Sequence, residues 1–469
     1  MRAPDPARIA ERESGVVLIL VTLILLVVTS LALSLGRDAK VEVALALERA
    51  DDLRLRALID SAVERAMAEV RNDTTPGDDL FAIWRDDQAN FEAMELGEGK
   101  IWFLLPSPDP GDGRVLRYGL RDEASKLDVN TATEEQLLAI PGITQEAVDG
   151  ILDWRDEDDD ASPQGGESSY YASLDPPYTA KNGPIESLDE LLRVKGIDEQ
   201  MLYGEDRNRN GLLDPGEDDG DRSFPPDDAD GTLDRGLVDY LTVFARDLNR
   251  TKDGRARLIL ASAQPQEIEQ ALTAAGASQQ FAQAVTQALG GGGPGQGGAQ
   301  GGGPGQGGGQ GGGTPQSMGE LVIRLGQFSS DATQVAILLD EVSAIEGDLV
   351  PGRINVNTCS RELLIGLGLQ DDQADAILEQ RLQPDADHGS VAWLLNVLDP
   401  QVFATVVDRL TARSDQFTVE AVALLNDRPR FRRVEVLIDR NFVPVRVLLW
   451  RDLTSLGFPL PGERGDGHP

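Results

Sequence analysis

Three observations predict an α+β fold. An apolar run of 20 residues, Val16–Leu35, continues into a one-sided helical pattern that lasts to about Val70. Alternating segments that read as strands stand near both ends of the chain, and between them a helix–turn–helix pattern recurs. The fold they predict is a head, in which the long N-terminal helix packs on an antiparallel sheet, with a large inserted α-helical domain. At 469 residues the chain is long for one core, and more than one domain is expected.

The apolar run is bounded by Glu13 and Arg37 and is long enough to cross a bilayer as a helix. It exceeds the apolar core of about 7–15 residues of an ordinary secretory signal, and no A-x-A-like site follows, so a retained helix is expected. Arg2, Arg8 and Arg12 precede it, while Arg37, Lys40 and Arg49 follow, so the positive-inside rule gives no orientation. Beyond it, Leu55, Leu58, Ile59, Ala62, Val63 and Ala66 recur at steps of three and four, the stripe of an amphipathic helix. A helix from Val16 to Val70 would be about 80 Å long, with Thr74, Pro76 and Gly77 ending it.

"GKIWFLLPSP" and "GRVLRYGLRDE" read as strands joined by a turn over Pro106–Gly113. "DQFTVEAVALL", "RFRRVEVLIDR" and "PVRVLLWRDL" read as three more, with Val434, Val436 and Ile438 on one face and Arg433, Glu435 and Leu437 on the other. The middle holds the repeat. "SKLDVNTATEEQLLAIPGITQEAVDGILDWR" begins at Ser125 and "GRINVNTCSRELLIGLGLQDDQADAILEQR" at Gly352, with a fainter copy from Ala256 and a half copy from Ser187. Asn130 or Thr131, and Asn357 or Thr358, are the expected N-caps of the first helices. Gly142 and Gly368 are expected in the tight turns. The Gly-rich stretch 290–313 reads as a disordered linker, and 458–469 as a disordered tail.

The formal net charge is −37, which repels nucleic acid and anionic lipid and suits metal cations or basic partners. Two histidines, His388 and His468, leave little room for a histidine-centred catalytic site. The single Cys359 cannot form an intrachain disulfide and reads as a small buried residue. No nucleophile–base pair stands out, so no enzymatic activity is expected.

"DRNRNGLLDPGE", residues 206–217, fits the calcium-loop pattern D-x-[DN]-x-[DN]-G-x5-E at every position. Asp206, Asn208 and Asn210 would supply side-chain oxygens, Leu212 a carbonyl, Asp214 a direct or water-mediated contact, and Glu217 a bidentate carboxylate. Gly211 would make the sharp turn. These hard oxygen donors suit Ca2+ over magnesium or zinc. A helix from about Leu188 to Leu202 could enter the loop, but "DDGDRSFPPDDADG" cannot form an exit helix, so a structural staple is expected. Weaker candidates are Asp228, Asp230 and Asp234, and the acidic run that includes Asp156 and Asp158, with Glu167.

The short charged leader, the glycine before the apolar run and the continuous helix entering a head resemble type IV pilins and pseudopilins. The resemblance implies a leader of residues 1–15, cut by a prepilin peptidase between Gly15 and Val16, with methylation of the new N-terminus. Most of that family carry glutamate at the fifth mature position, where this chain has Leu20. A carboxylate buried in lipid needs a partner. A subunit without one offers nothing to a neighbour above it, which fits a tip position. The repeats resemble helix-hairpin-helix modules, which often bind DNA. Between Asp122 and Asp160, however, thirteen acidic residues face only two basic ones, Lys126 and Arg155. Phosphate contacts need Lys or Arg.

With "DEASKLDVNTAT", "ILDWRDEDDD", "GGESSYYASLDPPYTAKNGPIESLDELLRVKGI" and "GRINVNT" added, the chain resembles the minor pseudopilin K family of the type II secretion system. The resemblance implies a transmembrane segment over 16–35 and a pilin-like head from 36–123 and 414–457. The insert of helix-hairpin-helix-like repeats would fill 124–413. It also implies one pass through the inner membrane, with the bulk in the periplasm at the pseudopilus tip, initiating and capping assembly for protein export. The implied partners are other minor pseudopilins, the major pseudopilin, the prepilin peptidase and the inner-membrane assembly platform, with no nucleic acid. Members of that family also hold calcium. The alternative is a membrane-anchored DNA-binding protein of the envelope, serving DNA uptake through its hairpins.

Overall fold

The computed structural model describes residues 6–460 apart from Thr74, Pro76, Ile83, 107–115, Asp228, 291–313 and Asp385. The side chains of residues 6–16 are also left undescribed. The helix-ending role of Thr74 and Pro76, most of the 106–113 turn, the Gly-rich linker and the metal candidate Asp228 therefore lie outside the described residues, as does the tail after Leu460.

One helix runs from Pro6 to Asn72, about 100 Å at 1.5 Å per residue. It begins earlier than Val16 because residues 6–15 are rich in Ala, Arg and Glu, good helix formers, and Pro6 suits a first turn that needs no N–H bond. Residues 17–50 are exposed. Within the apolar run Thr22 and Thr29 donate their hydroxyls to the carbonyls of Leu18 (2.9 Å) and Leu25 (2.7 Å), so neither presents an open donor to lipid. The stripe from Leu55 to Val70 is buried against the sheet. Asp51 and Asp52 tie the same helix to the hairpin opposite, through Arg428 at 3.1 Å and Arg432 at 3.0 Å.

The sheet has seven antiparallel strands. Met94–Leu96, Gly99–Pro106, Gln416–Leu425, Phe431–Asp439 and Arg446–Asp452 follow in spatial order. Leu116–Tyr118 also pairs with Gly99–Pro106, and Arg121–Asp122 with Gln416–Leu425. The single strand expected over "GRVLRYGLRDE" is thus broken around Gly119. Strands from both ends of the chain interleave, Ala421 facing Phe103 and Val434 in register, so everything between leaves the sheet and returns to it. Val434, Val436 and Ile438 join the helix-facing core as read. The opposite face is not solvated: Arg433 and Leu437 are buried there too.

A second core runs from Leu127 to Ala412. Three two-residue parallel ladders open its helix pairs: Leu127–Asp128 with Leu241–Thr242, Leu258–Ile259 with Val342–Ser343, and Ile354–Asn355 with Leu410–Thr411. The pairs are Glu134–Leu138 with Gln145–Arg155, Pro265–Ala274 with Gln279–Leu289, and Arg361–Gly366 with Asp371–Gln380. Gly142 and Gly368 make the turns at φ +75° and +93°. The caps fall elsewhere than expected. Thr133 caps the first helix, and Ser360 holds the corresponding place in the second copy without a side-chain cap bond. Asn130 instead exchanges two hydrogen bonds with the backbone of Ile185, at 2.7 and 3.0 Å. Asn357 accepts from Trp393 Nε1 (2.9 Å) and donates to the His388 carbonyl (3.0 Å). The expected helix Leu188–Leu202 is two pieces, Leu188–Arg193 and Glu199–Tyr203, with a turn at Gly196 (φ +82°) between them. Residues 458–460 are packed rather than loose: Phe458 lies edge-on to Trp102 and Phe431, and Leu460 is buried.

Among the described residues the insert packs on the head beyond the end of the long helix and on the sheet face away from it. At the far end of the long helix, Gly77 lies against His388 and Gly389, where a Cβ would come within 2.8 Å of backbone. The Asp78 carbonyl accepts from Asn355 Nδ2 (2.9 Å), and Asp122 accepts from Asn355 and Thr358, both at 2.7 Å. On the sheet face away from the helix, the fully buried Arg433 bonds Glu420 (2.7 Å) and the carbonyls of Asn208 and Arg209, both at 2.6 Å.

Candidate functional site

Among the described residues, three carboxylates converge at the end of the helix Gln145–Arg155. The Arg155 guanidinium caps the carbonyls of Val129 and Ala132, and Trp154 Nε1 donates to Glu190 at 2.9 Å. These fix the last turn, with Asp153 on it and Asp156 at its C-cap. The chain then loops out and is drawn back: the N–H groups of Ser162 and Gln164 donate to Asp153 (3.1 Å) and Asp149 (2.9 Å). Glu167, at the start of Ser168–Tyr171, is thereby returned to face Asp153 and Asp156. One oxygen from each of the three lies within 4.8 Å of the others.

Both Glu167 oxygens and Asp156 Oδ1 are buried and meet no donor among the described residues. Burial first, and then the carboxylates of Asp153, Asp156, Asp159 and Asp158, push the Glu167 pKa up to about 7. Burial, with Asp158 and Asp153, also raises Asp156. Such a group of converging hard oxygens has the chemistry of a calcium site. The sequence reading singled out Asp156, Asp158 and Glu167. The structure keeps Asp156 and Glu167, replaces Asp158 by Asp153, and leaves the Asp158 side chain exposed, accepting from Asp160 N–H at 2.9 Å.

The loop 206–217 adopts the turn that its pattern implies. Asp206 accepts from the N–H groups of Asn210 (3.0 Å) and Gly211 (2.6 Å), and Glu217 accepts from Arg207 (2.9 Å) and Asp214 (3.0 Å). Gly211 sits at φ +69° with Pro106 against it, so a side chain there would be strained and would clash. Burial pushes the Asp206 pKa up to about 7 and also raises Glu217. Asn208 and Asn210 turn their amide nitrogens to Asp214, at 2.6 and 3.1 Å, and Leu212 donates its N–H to Asn210 Oδ1 at 2.7 Å. Among the described residues, Asp206, Asp214 and Glu217 do not form a triplet as close as Asp153, Asp156 and Glu167. Asp230 and Asp234 are exposed. At the membrane end Gly15 and Val16 lie inside the long helix, and Leu20 is exposed on it.

One described helix, Val17–Asn72, is long and apolar enough to cross a membrane, and it carries an antiparallel sheet at its far end. That combination is the architecture of a head sheet carried on a long apolar N-terminal helix, which fits a single-pass membrane anchor. Residues 120–203 match the family described as "Type II secretion system (T2SS), protein K". This matched stretch contains the Asp153–Asp156–Glu167 group. No curated protein matches the chain. Among solved structures it is similar to a chain in the GspK–GspI–GspJ complex of the type 2 secretion system from enterotoxigenic Escherichia coli. The TM-score is 0.42 and the identity 13%, over 86% of this chain and 98% of the other.

Proposed function

We propose that this chain is a minor pseudopilin at the tip of a type II secretion pseudopilus, where it initiates assembly and stops further growth. The observation that carries the proposal is the position of the insert. In the anchored chain the end of the long helix near Asn72 is the one far from the membrane, and there Gly77 and Asp78 are covered by residues 355–358, 388–389 and 412–414. A subunit added above would meet that mass. Leu20, apolar at the fifth position after Gly15, leaves no carboxylate to receive the amine of a subunit above. The match of residues 120–203 to protein K supports the same reading. In the similar solved complex the K chain assembles with GspI and GspJ, so partners of that kind are proposed here. The major pseudopilin, the prepilin peptidase and the inner-membrane platform follow from the same role, with the bulk of the chain in the periplasm. The chain acts as a structural subunit and not as an enzyme.

The Asp153–Asp156–Glu167 group, and the 206–217 loop beside the head, are proposed to hold Ca2+ as structural staples. Bound there, the ion neutralises crowded carboxylates and ties the 157–166 loop to its helix.

Intact-mass measurement on protein taken from membranes tests the role at its first step. A chain beginning at methylated Val16 is expected, and one beginning at Met1 would refute the pseudopilin reading. Cells lacking the chain should then fail to start pseudopili, and those overproducing it should make shorter ones.

A further inference from the structure

We propose that a cleft in the insert binds a small organic oxyanion, a carboxylate or phosphate monoester carrying an apolar body. The cleft, of about 310 Å³, lies between the 246–257 hairpin, the helix Ala332–Glu341 and the 410–413 segment. In a chain of net charge −37 it gathers Arg250, Lys252, Arg257, Arg353 and Arg413. Five cations held this close repel one another. Burial first and then the Arg353 charge lower the Arg257 pKa.

Nearby carboxylates offset only part of this charge: Asp340 acts on Arg257 and Lys252, and Asp247 on Arg353 and Arg257. Asp340 accepts from the backbone N–H of Lys252 (2.9 Å) and Asp387 from that of Gly389 (3.0 Å). Asp415, in the adjoining hollow with Asp247, is held by Arg440 at 3.2 Å and reaches Arg413 only at 3.5 Å. The cations fill few of their own bonds. Arg250 donates to the Gly254 carbonyl (3.0 Å) and Arg257 to the Asp340 carbonyl (3.1 Å). Among the described residues Arg353 Nε is buried without an acceptor, and buried donors are seldom left so. An oxyanion in the cleft supplies acceptors for Arg353, Arg257 and Lys252 together, and planar guanidinium forks suit carboxylate and phosphate oxygens. The lining also holds the apolar side chains of Met318, Ile337, Leu339 and Val391. The volume is at the small end for a ligand pocket, which calls for one anionic head and a compact apolar body.

The test is calorimetric titration of the full chain in detergent at constant ionic strength, with phenyl phosphate, benzoate and inorganic phosphate as probes. At least one aromatic probe is expected to bind with Kd below about 1 mM, and inorganic phosphate at least about tenfold more weakly; the stronger aromatic probe identifies the head group. Arg353→Gln and Lys252→Gln should each weaken binding about tenfold or more, a change of about 1.4 kcal/mol. Lys252 is exposed, so its variant keeps the test valid should Arg353→Gln fail to fold. No aromatic binding by about 10 mM, or affinity unchanged in Lys252→Gln, overturns the proposal. Equal affinity for phosphate and phenyl phosphate overturns the apolar part of it.

Discussion

Arg433 shows how much a single side chain can carry here. It donates from the sheet to two loop carbonyls, those of Asn208 and Arg209, and pairs with Glu420. Arg433→Met would leave the Glu420 carboxylate uncompensated at a buried face and strip both carbonyls. The expected loss is about 3–5 kcal/mol, because breaking one side of a buried pair strands the other charge. Adding Glu420→Gln should recover part of it; denaturant midpoints of the full chain in detergent measure both. Its alternation in sequence puts it on the face opposite Val434, Val436 and Ile438, but alternation shows which residues share a face and not what covers it. The two asparagines of the repeat were misread for a related reason. Asn130 and Asn357 precede helices by cap-like spacing, yet each serves a backbone segment distant in sequence. Asp153 was passed over because its partner Glu167 is brought near it only by the loop between them. The Asp149 and Asp153 pins on that loop were not legible from spacing.

Elements with a regular period were the most legible. The stripe Leu55–Val70 is the face that packs on the sheet, because a long helix on an antiparallel sheet must bury one stripe and can bury only one. Ile59 is 1% exposed and Leu53, on the same helix, 64%. Ile59→Ala should therefore cost about 2–5 kcal/mol and Leu53→Ala near nothing. Equal effects by chemical denaturation would mean that the helix docks by another face. The acidic loops depend on more than their own sequence. With the calcium proposal, chelation should lower the melting temperature of the full chain, and Glu167→Gln should shrink that response by removing the negative charge and one of the two buried Glu167 oxygens. An unchanged response in Glu167→Gln would move the ion to the 206–217 loop, where Asp206→Ala becomes the deciding variant. The insert's helices were placed well by their turns, and their boundaries less well. Gly196 splits one expected helix because its positive φ cannot continue the element.

Across the whole molecule, buried carboxylates collect where insert and head meet. Burial pushes Asp78 up to about 7 against the opposing pull of Arg440, and it raises Asp122 as well. Asp247 is pushed up to about 7, first by burial and then by Asp415, with Arg353, Thr411 and Arg257 pulling the other way. The sign follows from proton counting. An unfolded aspartate titrates near 3.9, so between that value and about 7 the folded chain holds protons that the unfolded chain has released. Stability from such a group is complete below the unfolded pKa and is lost as pH rises through the folded one. The boundary should then loosen toward alkaline pH, although the chain's many surface carboxylates titrate lower. Melting temperature in detergent is expected to be lower at about pH 8 than at about pH 5. Asp247→Asn, which keeps the shape and removes the charge, should narrow that difference. Hydrogen exchange should quicken at 411–416, beside Asp247, at the higher pH and quicken less in the variant. A pH dependence that Asp247→Asn leaves untouched would mean that this carboxylate does not titrate in the folded boundary, and that the head and insert are held together independently of it.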